Sequence, residues 1–136
     1  MPLVTKDGFQ HLPEAAYITV DQLSETDEPW LAVEIAGDTD LFALVPHFEK
    51  ISLLAVQFPS FADGRGFSIA RHLKRLGYDG ELRARGHVIA DQYAHALACG
   101  FDGVEINDEI AARQPFEQWD AAAAKVLPPY RAKMAG

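Results

Sequence analysis

Between Leu31 and Leu127 the chain switches repeatedly between short apolar runs and segments with helical hydrophobic spacing, and this alternation restricts the fold more than any other feature. Leu31-Ala32-Val33-Glu34-Ile35 reads as a strand. Gly37-Asp38-Thr39 then offers a turn and an N-cap for a helix over Leu41, Leu44, Val45 and Phe48, which Pro46 shortens or kinks. Ser52 to Phe58, SLLAVQF, is almost continuously apolar, as in strands buried on both faces. A helix over Gly66 to Leu76 stops at Gly77 and is followed by a strand from Glu81 to Arg85. Val88 to Ala98 is the next helix, stopped by Gly100, and Gly103 to Ile106 the next strand. The last helix runs from Pro115 to Leu127, with Phe116, Trp119, Ala123, Val126 and Leu127 on one face and Pro128-Pro129 ending it.

The order βαβαβαβα predicts an α/β fold: a parallel sheet of about four βα units joined by right-handed crossovers, as an open three-layer sheet or a half-barrel. Residues 1–30, containing Tyr17-Ile18-Thr19-Val20, add an N-terminal arm or edge strand, and residues 31–127 form the body of a single domain spanning 1–136. With 49% hydrophobic residues, a chain of this length buries a core without staples. Its one cysteine, Cys99, precludes an internal disulfide and fits a reducing cytoplasm. The start, MPLVTKDGFQHLPEAAY, has no signal-type apolar core, and no stretch approaches the roughly 20 apolar residues of a membrane span. The expectation is a soluble, cytoplasmic protein with no membrane partner. A half-barrel would pair with a second copy to cover its sheet edges, whereas an open sheet could remain monomeric.

Charge is unevenly placed. Residues 1–49 carry one basic residue against ten acidic, residues 50–85 seven against three, and residues 86–136 four against seven. The net charge of -8 argues against nucleic acid, while the basic island suits a small anion or an acidic protein patch. α/β folds place ligands at the carboxyl ends of their strands, here Ala36 to Asp40, Pro59 to Gly66, Arg85 to His87, and Asn107-Asp108. Asp63-Gly64-Arg65-Gly66 lies at one such end. Two glycines with positive φ and a helix N-terminus would hold an anion there with Arg65 closing over it; in the plainer alternative Asp63 caps the helix and the glycines make the corner.

At α-helical angles Ile69, Ala70, Leu73 and Leu76 share one face of the following helix, and Ser68, Arg71, Lys74 and Arg75 the other. Phe67 falls among the charges, so Phe67, Arg71, Lys74 and Arg75 form a candidate partner surface, an aromatic within a basic rim. In Leu82-Arg83-Ala84-Arg85 both arginines point to one sheet face, and at least one must reach a carboxylate, a ligand or the open end of the sheet. His87 is a candidate acid or base. Asp91, His95 and Cys99 recur at helical spacing on a side opposite the core, which reads as a solvent-facing Asp-His pair plus a cysteine, not a metal site. No Walker-type loop, dinucleotide fingerprint, cysteine cluster or nucleophile elbow is present.

The stretch FPSFADGRGFSIARHLKRLGYDGELRARGHVIADQ, Phe58 to Gln92, with CGFDGVEI after it, closely resembles a bacterial family of unknown function. Its members are encoded beside assimilatory sulfite reductase and are labelled probable oxidoreductases of sulfite reduction. The resemblance is specific over Phe58 to Glu105 and looser from Leu31. Its motif covers Phe58, Pro59, Asp63, Gly64, Arg65, Gly66, Gly80, Glu81, Leu82, Arg83, Gly86, Asp91 and Gln92, while Gln57 and His87 stand where the family often has an acid. It implies a role in sulfur assimilation, with sulfite reductase or another protein of that process as partner. Two expectations follow: an accessory protein that docks through its basic helix, or a small-anion protein or enzyme binding sulfite, sulfate or a sulfonucleotide. The second would use Asp63, Gly64, Arg65, Gly66, Arg83, Arg85 and Gln92, with Asp63, His87 or Asp91 in catalysis. No cofactor is expected, so an oxidoreductase of this kind would borrow its electrons.

Overall fold

The computed structural model describes residues 2–5, 8–10, 16–26 and 28–123. It is a mixed α/β fold built on a six-stranded sheet. In chain order its elements are β1 (Leu3–Thr5), β2 (Gly8–Gln10), α1 (Val20–Leu23), β3 (Leu31–Ile35), a 3-10 helix (Leu41–Lys50), β4 (Ile51–Phe58), α2 (Arg65–Arg75), β5 (Glu81–Gly86), α3 (Ala90–Cys99), β6 (Gly103–Glu105) and α4 (Asp108–Arg113). Residues 116–123 form a further helix, α5. The last strand-helix stretch therefore holds two helices where one is expected. The first carries a clear signal, because the Asn107 side chain accepts from Ile110 N at 2.8 Å and Asp108 and Glu109 fill its first turn. Val126, Leu127 and Pro128-Pro129 lie outside the described residues.

The spatial order is β2-β1-β6-β5-β4-β3. Strands β3 to β6 are parallel and adjacent in chain order, whereas β1 pairs antiparallel with both β2 and β6, so the sheet is mixed and not purely parallel. The N-terminal segment thus contributes an antiparallel hairpin at the β6 side. Further along, Ile18 forms a single parallel bridge to Val33 at the β3 side, donating to Ala32 O at 2.9 Å and accepting from Glu34 N at 3.0 Å.

Four parallel strands in sequence order put their helices on the same face when their crossovers share the usual right hand. Val33, Ile35, Leu54, Val56, Leu82, Ala84 and Val104 point there and join Leu44, Leu73, Tyr93, Ile110 and Trp119 in one buried cluster. The opposite face carries Glu34, Ala55, Gln57, Arg83, Arg85 and Glu105, as the alternation along each strand requires. Helices end where expected: Gly77 and Gly100 follow α2 and α3 with φ of 100° and 112°.

The segment after β3 departs from expectation. Asp40, not Asp38 or Thr39, is the N-cap, accepting from Phe42 N at 3.1 Å, and the helix is 3-10 throughout its ten residues. With three residues per turn, i and i+3 eclipse. Leu41 and Leu44 therefore form the buried ridge, and Phe42 and Val45 an outer one that is 64% and 38% exposed. Pro46 sits within this helix and is itself exposed.

Candidate functional site

Three surfaces gather the residues singled out by sequence. The first is the sheet face opposite the helices. Gln57, Arg85 and Glu105 stand in one register row, and Ala55, Arg83 and Gly103 in the next. Glu34 bonds Arg85 Nη1 and accepts from Gln57 Nε2 at 2.6 Å; Glu105 lies 3.9 Å from Arg85 Nε and accepts from the Tyr17 hydroxyl. The Tyr17 ring packs on the Arg85 guanidinium at 5.1 Å. Burial pushes the Tyr17 phenol well above its ordinary value, and the hydrogen bond to Glu105 adds to this. Burial pulls the Arg85 guanidinium down, but Glu34 and Glu105 outweigh it and hold the group firmly charged. Arg83 meets Glu81 at 3.1 Å. Both arginines share a face, as the alternation of that strand demands, and both of them, not just one, reach carboxylates.

The second surface is the carboxyl end of the strands. Asp63 Oδ1 accepts from Arg65 N at 3.2 Å and from Arg65 Nε at 3.0 Å, and Oδ2 from Nη2 at 2.9 Å. Those bonds hold the Asp63 carboxyl below its usual range. The Arg65 guanidinium leans across to the next loop, where a Cβ on Gly37 would lie 3.2 Å from its Cζ. Gly64 and Gly66 do not adopt positive φ, contrary to the expectation for this turn. Gly66 is small for another reason: a Cβ there would come within 2.9 Å of the Phe58 ring, with Cε1 at 2.6 Å. Gly86 does take positive φ, 119°, and lets His87 N reach Phe58 O at 2.9 Å.

A family model described as a bacterial protein of unknown function (DUF934) matches residues 32–135. The chain belongs to that family. No curated protein matches it. The DUF934 match reaches well beyond both ends of the Phe58 to Glu105 segment.

The remaining motif residues of this DUF934 chain pin its loops together. Gln92 accepts from Ile89 N at 3.1 Å and donates to Phe61 O at 3.0 Å, while Gln114 Oε1 accepts from Ala90 N at 2.8 Å, so two N-terminal donors of α3 are already used. The His87 ring meets Phe61 edge-on at 5.2 Å. Phe61, Ile89, Ile110, Arg113 and Gln114 line a shallow groove of about 220 Å³ beside them. Asp91 is exposed in the first turn of α3. The three candidate catalytic groups, Asp63, His87 and Asp91, therefore sit on the same rim, and Asp63 is committed to Arg65.

The third surface is the outer side of the 3-10 helix and α2. Ser68, Arg71, Lys74 and Arg75 are exposed as expected, but Phe67 is not on that face. It is 8% exposed, with its ring 5.0 Å from Phe58 and 4.5 Å from His95. Phe67 lies in the first turn of α2 on the flank that meets α3, and the neighbouring helix buries it. Cys99 is likewise buried, so the Asp91-His95-Cys99 row does not face solvent as a whole; His95 Nε2 lies 3.7 Å from its Sγ. Lys74 folds over Gly100, with Nζ 6.0 Å from the Tyr78 ring. The aromatic that borders the basic row is Phe42, whose ring meets His72 of α2 at 5.7 Å. Nothing but the 3-10 period could have pointed to it, and Pro46 was its one local cue. Among the described residues, no helix is long and apolar enough to cross a membrane.

Proposed function

We propose that the protein is an accessory component of sulfite reduction that docks on an acidic surface of its partner, sulfite reductase or another protein of sulfur assimilation. The observation that carries the docking reading is Phe42, 64% exposed on the outer ridge with Val45 beside it and Arg71, His72 and Arg75 along the adjoining helix. An exposed aromatic inside a basic rim has the composition of an interface anchor. The basic row stands out on a chain of net charge -8, so an acidic partner patch is the complementary one. The connection to sulfur rests on the sequence resemblance. Two arginines offered for a small-anion site, Arg65 and Arg85, are held by Asp63 and by Glu34 with Glu105, which favours docking over an anion site built on those two.

Calorimetric titration into purified sulfite reductase tests this. Phe42→Ala should weaken binding about 30-fold, the roughly 2 kcal/mol of an interface anchor, with the fold intact because the ring is exposed. Arg71→Glu should weaken it further and steepen neither the unfolding curve nor its midpoint shift. Absence of binding, or equal binding by Phe42→Ala, would overturn the assignment.

A further inference from the structure

The sheet face opposite the helices contains a guanidinium that docking does not use. The Arg83 side chain is 12% exposed, and among the described residues its Nε is buried without a hydrogen-bond partner. Glu81 engages only Nη2, with its two oxygens at 3.2 and 3.1 Å. A guanidinium holds an oxyanion best through two parallel N–H bonds, and the Nε–Nη2 edge of Arg83 is half used. A donor left unmet in the interior is costly, and native structures seldom retain one without a role for it.

The surroundings favour a small acceptor there. The register partners of Arg83 are Ala55 on β4 and Gly103 on β6, so neither flanking strand brings a long side chain against the guanidinium, and what reaches it from the N-terminal segment is the neutral Tyr17 hydroxyl. Glu34 and Glu105 are held by Arg85 and do not compete for it. Glu81 is 42% exposed, and a pair of that kind is weak enough to open into water. An incoming anion would take its place charge for charge.

We propose that this face binds a small oxyanion on the Nε–Nη2 edge of Arg83, with Glu81 turning outward as the ligand enters. The shared chemistry is two oxygens presented to one guanidinium edge, as in a carboxylate, a phosphate or a sulfate. The site is independent of the docking surface, which lies on the helix layer.

The Arg Nε–H resonances in proton-nitrogen spectra report this directly. Acetate, phosphate and sulfate are titrated separately against chloride at matched ionic strength, with Arg83→Lys identifying the resonance. The expected result is a saturable shift of the Arg83 Nε–H with at least one oxyanion and none with chloride. Response to acetate alone would assign a carboxylate ligand, and response to phosphate or sulfate a tetrahedral one. Glu81→Gln removes the competing carboxylate and should tighten binding about two- to fivefold, the worth of an exposed ion pair. The proposal is overturned by no saturable shift with any oxyanion, by an equal shift with chloride, or by weaker binding in Glu81→Gln.

Discussion

Replacing Gly66 by alanine tests whether the glycines of the Asp63 to Gly66 turn serve a ligand or the core. A Cβ at residue 66 would approach Phe58 Cε1 at 2.6 Å and Cε2 at 2.9 Å, well inside contact distance. The ring has no room to withdraw, because Phe58 is 2% exposed and wedged between Phe67 at 5.0 Å and Phe101 at 5.8 Å. Overpacking of this kind costs about 1–3 kcal/mol. Alanine recovers at most about 1 kcal/mol through helix propensity, and less so near a helix start. The net expectation is a loss of about 1–2 kcal/mol in urea unfolding, visible as a lower midpoint at unchanged slope. Gly64→Ala is the control: its Cβ would meet nothing nearer than Phe67 Cδ2 at 3.9 Å and its φ is -87°, so it should stay within about 0.5 kcal/mol of the parent. Trimming the ring should relieve the clash, so Gly66→Ala with Phe58→Leu should cost less than the sum of the single changes by about 1 kcal/mol. A neutral Gly66→Ala, or a Gly64→Ala as damaging as Gly66→Ala, would refute the packing argument and return the turn to a backbone or ligand role.

The polar sheet face gives two more expectations. Arg85→Met leaves Glu105, 5% exposed at its side chain, and Glu34 without their counter-charge, and should cost about 2 kcal/mol in urea unfolding; adding Glu105→Gln should return part of it. The phenols of Tyr17 and Tyr78 are held above their ordinary value of 10, in both cases chiefly by burial, so the unfolded chain loses those protons first as pH rises. Their stabilisation is complete below pH 10 and declines above it, and an unfolding series across that pH should be flatter for Tyr17→Phe than for the parent. An identical alkaline decline in both proteins would show that the Tyr17 proton is not linked to folding.

Much of the body from Leu31 onward is legible because each switch in hydrophobic period coincides with a local stop. Gly77 and Gly100 end α2 and α3 by conformations other residues adopt at a cost, and SLLAVQF is apolar enough to be a strand, although the helices cover only one of its faces. That Arg83 and Arg85 share a face, and that at least one of them needs a partner, also follows from strand alternation and the cost of burying charge. Helix α4 is equally local in its signal, with Asn107 as N-cap and Asp108 and Glu109 in its first turn. Phe67 shows the opposite case. Its angle on α2 is correct, but α3 lies against that flank, and a helix wheel contains no neighbours.

What the sequence determines alone is local: where strands and helices occur, which strand positions share a face, and that at least one of two arginines needs a partner. Those follow from bond geometry, side-chain period and the energetics of burial, all acting over a few residues. The tertiary structure decides which carboxylates those partners are, since Glu34 and Glu105 lie 51 and 20 positions from Arg85 and meet it only through strand order. It also decides that three-residue strands at the N-terminus pair antiparallel beside β6, and that a ten-residue 3-10 period turns Phe42 outward while Leu41 and Leu44 fill the core. In each case several local conformations are close in energy, and packing against residues distant in sequence selects among them.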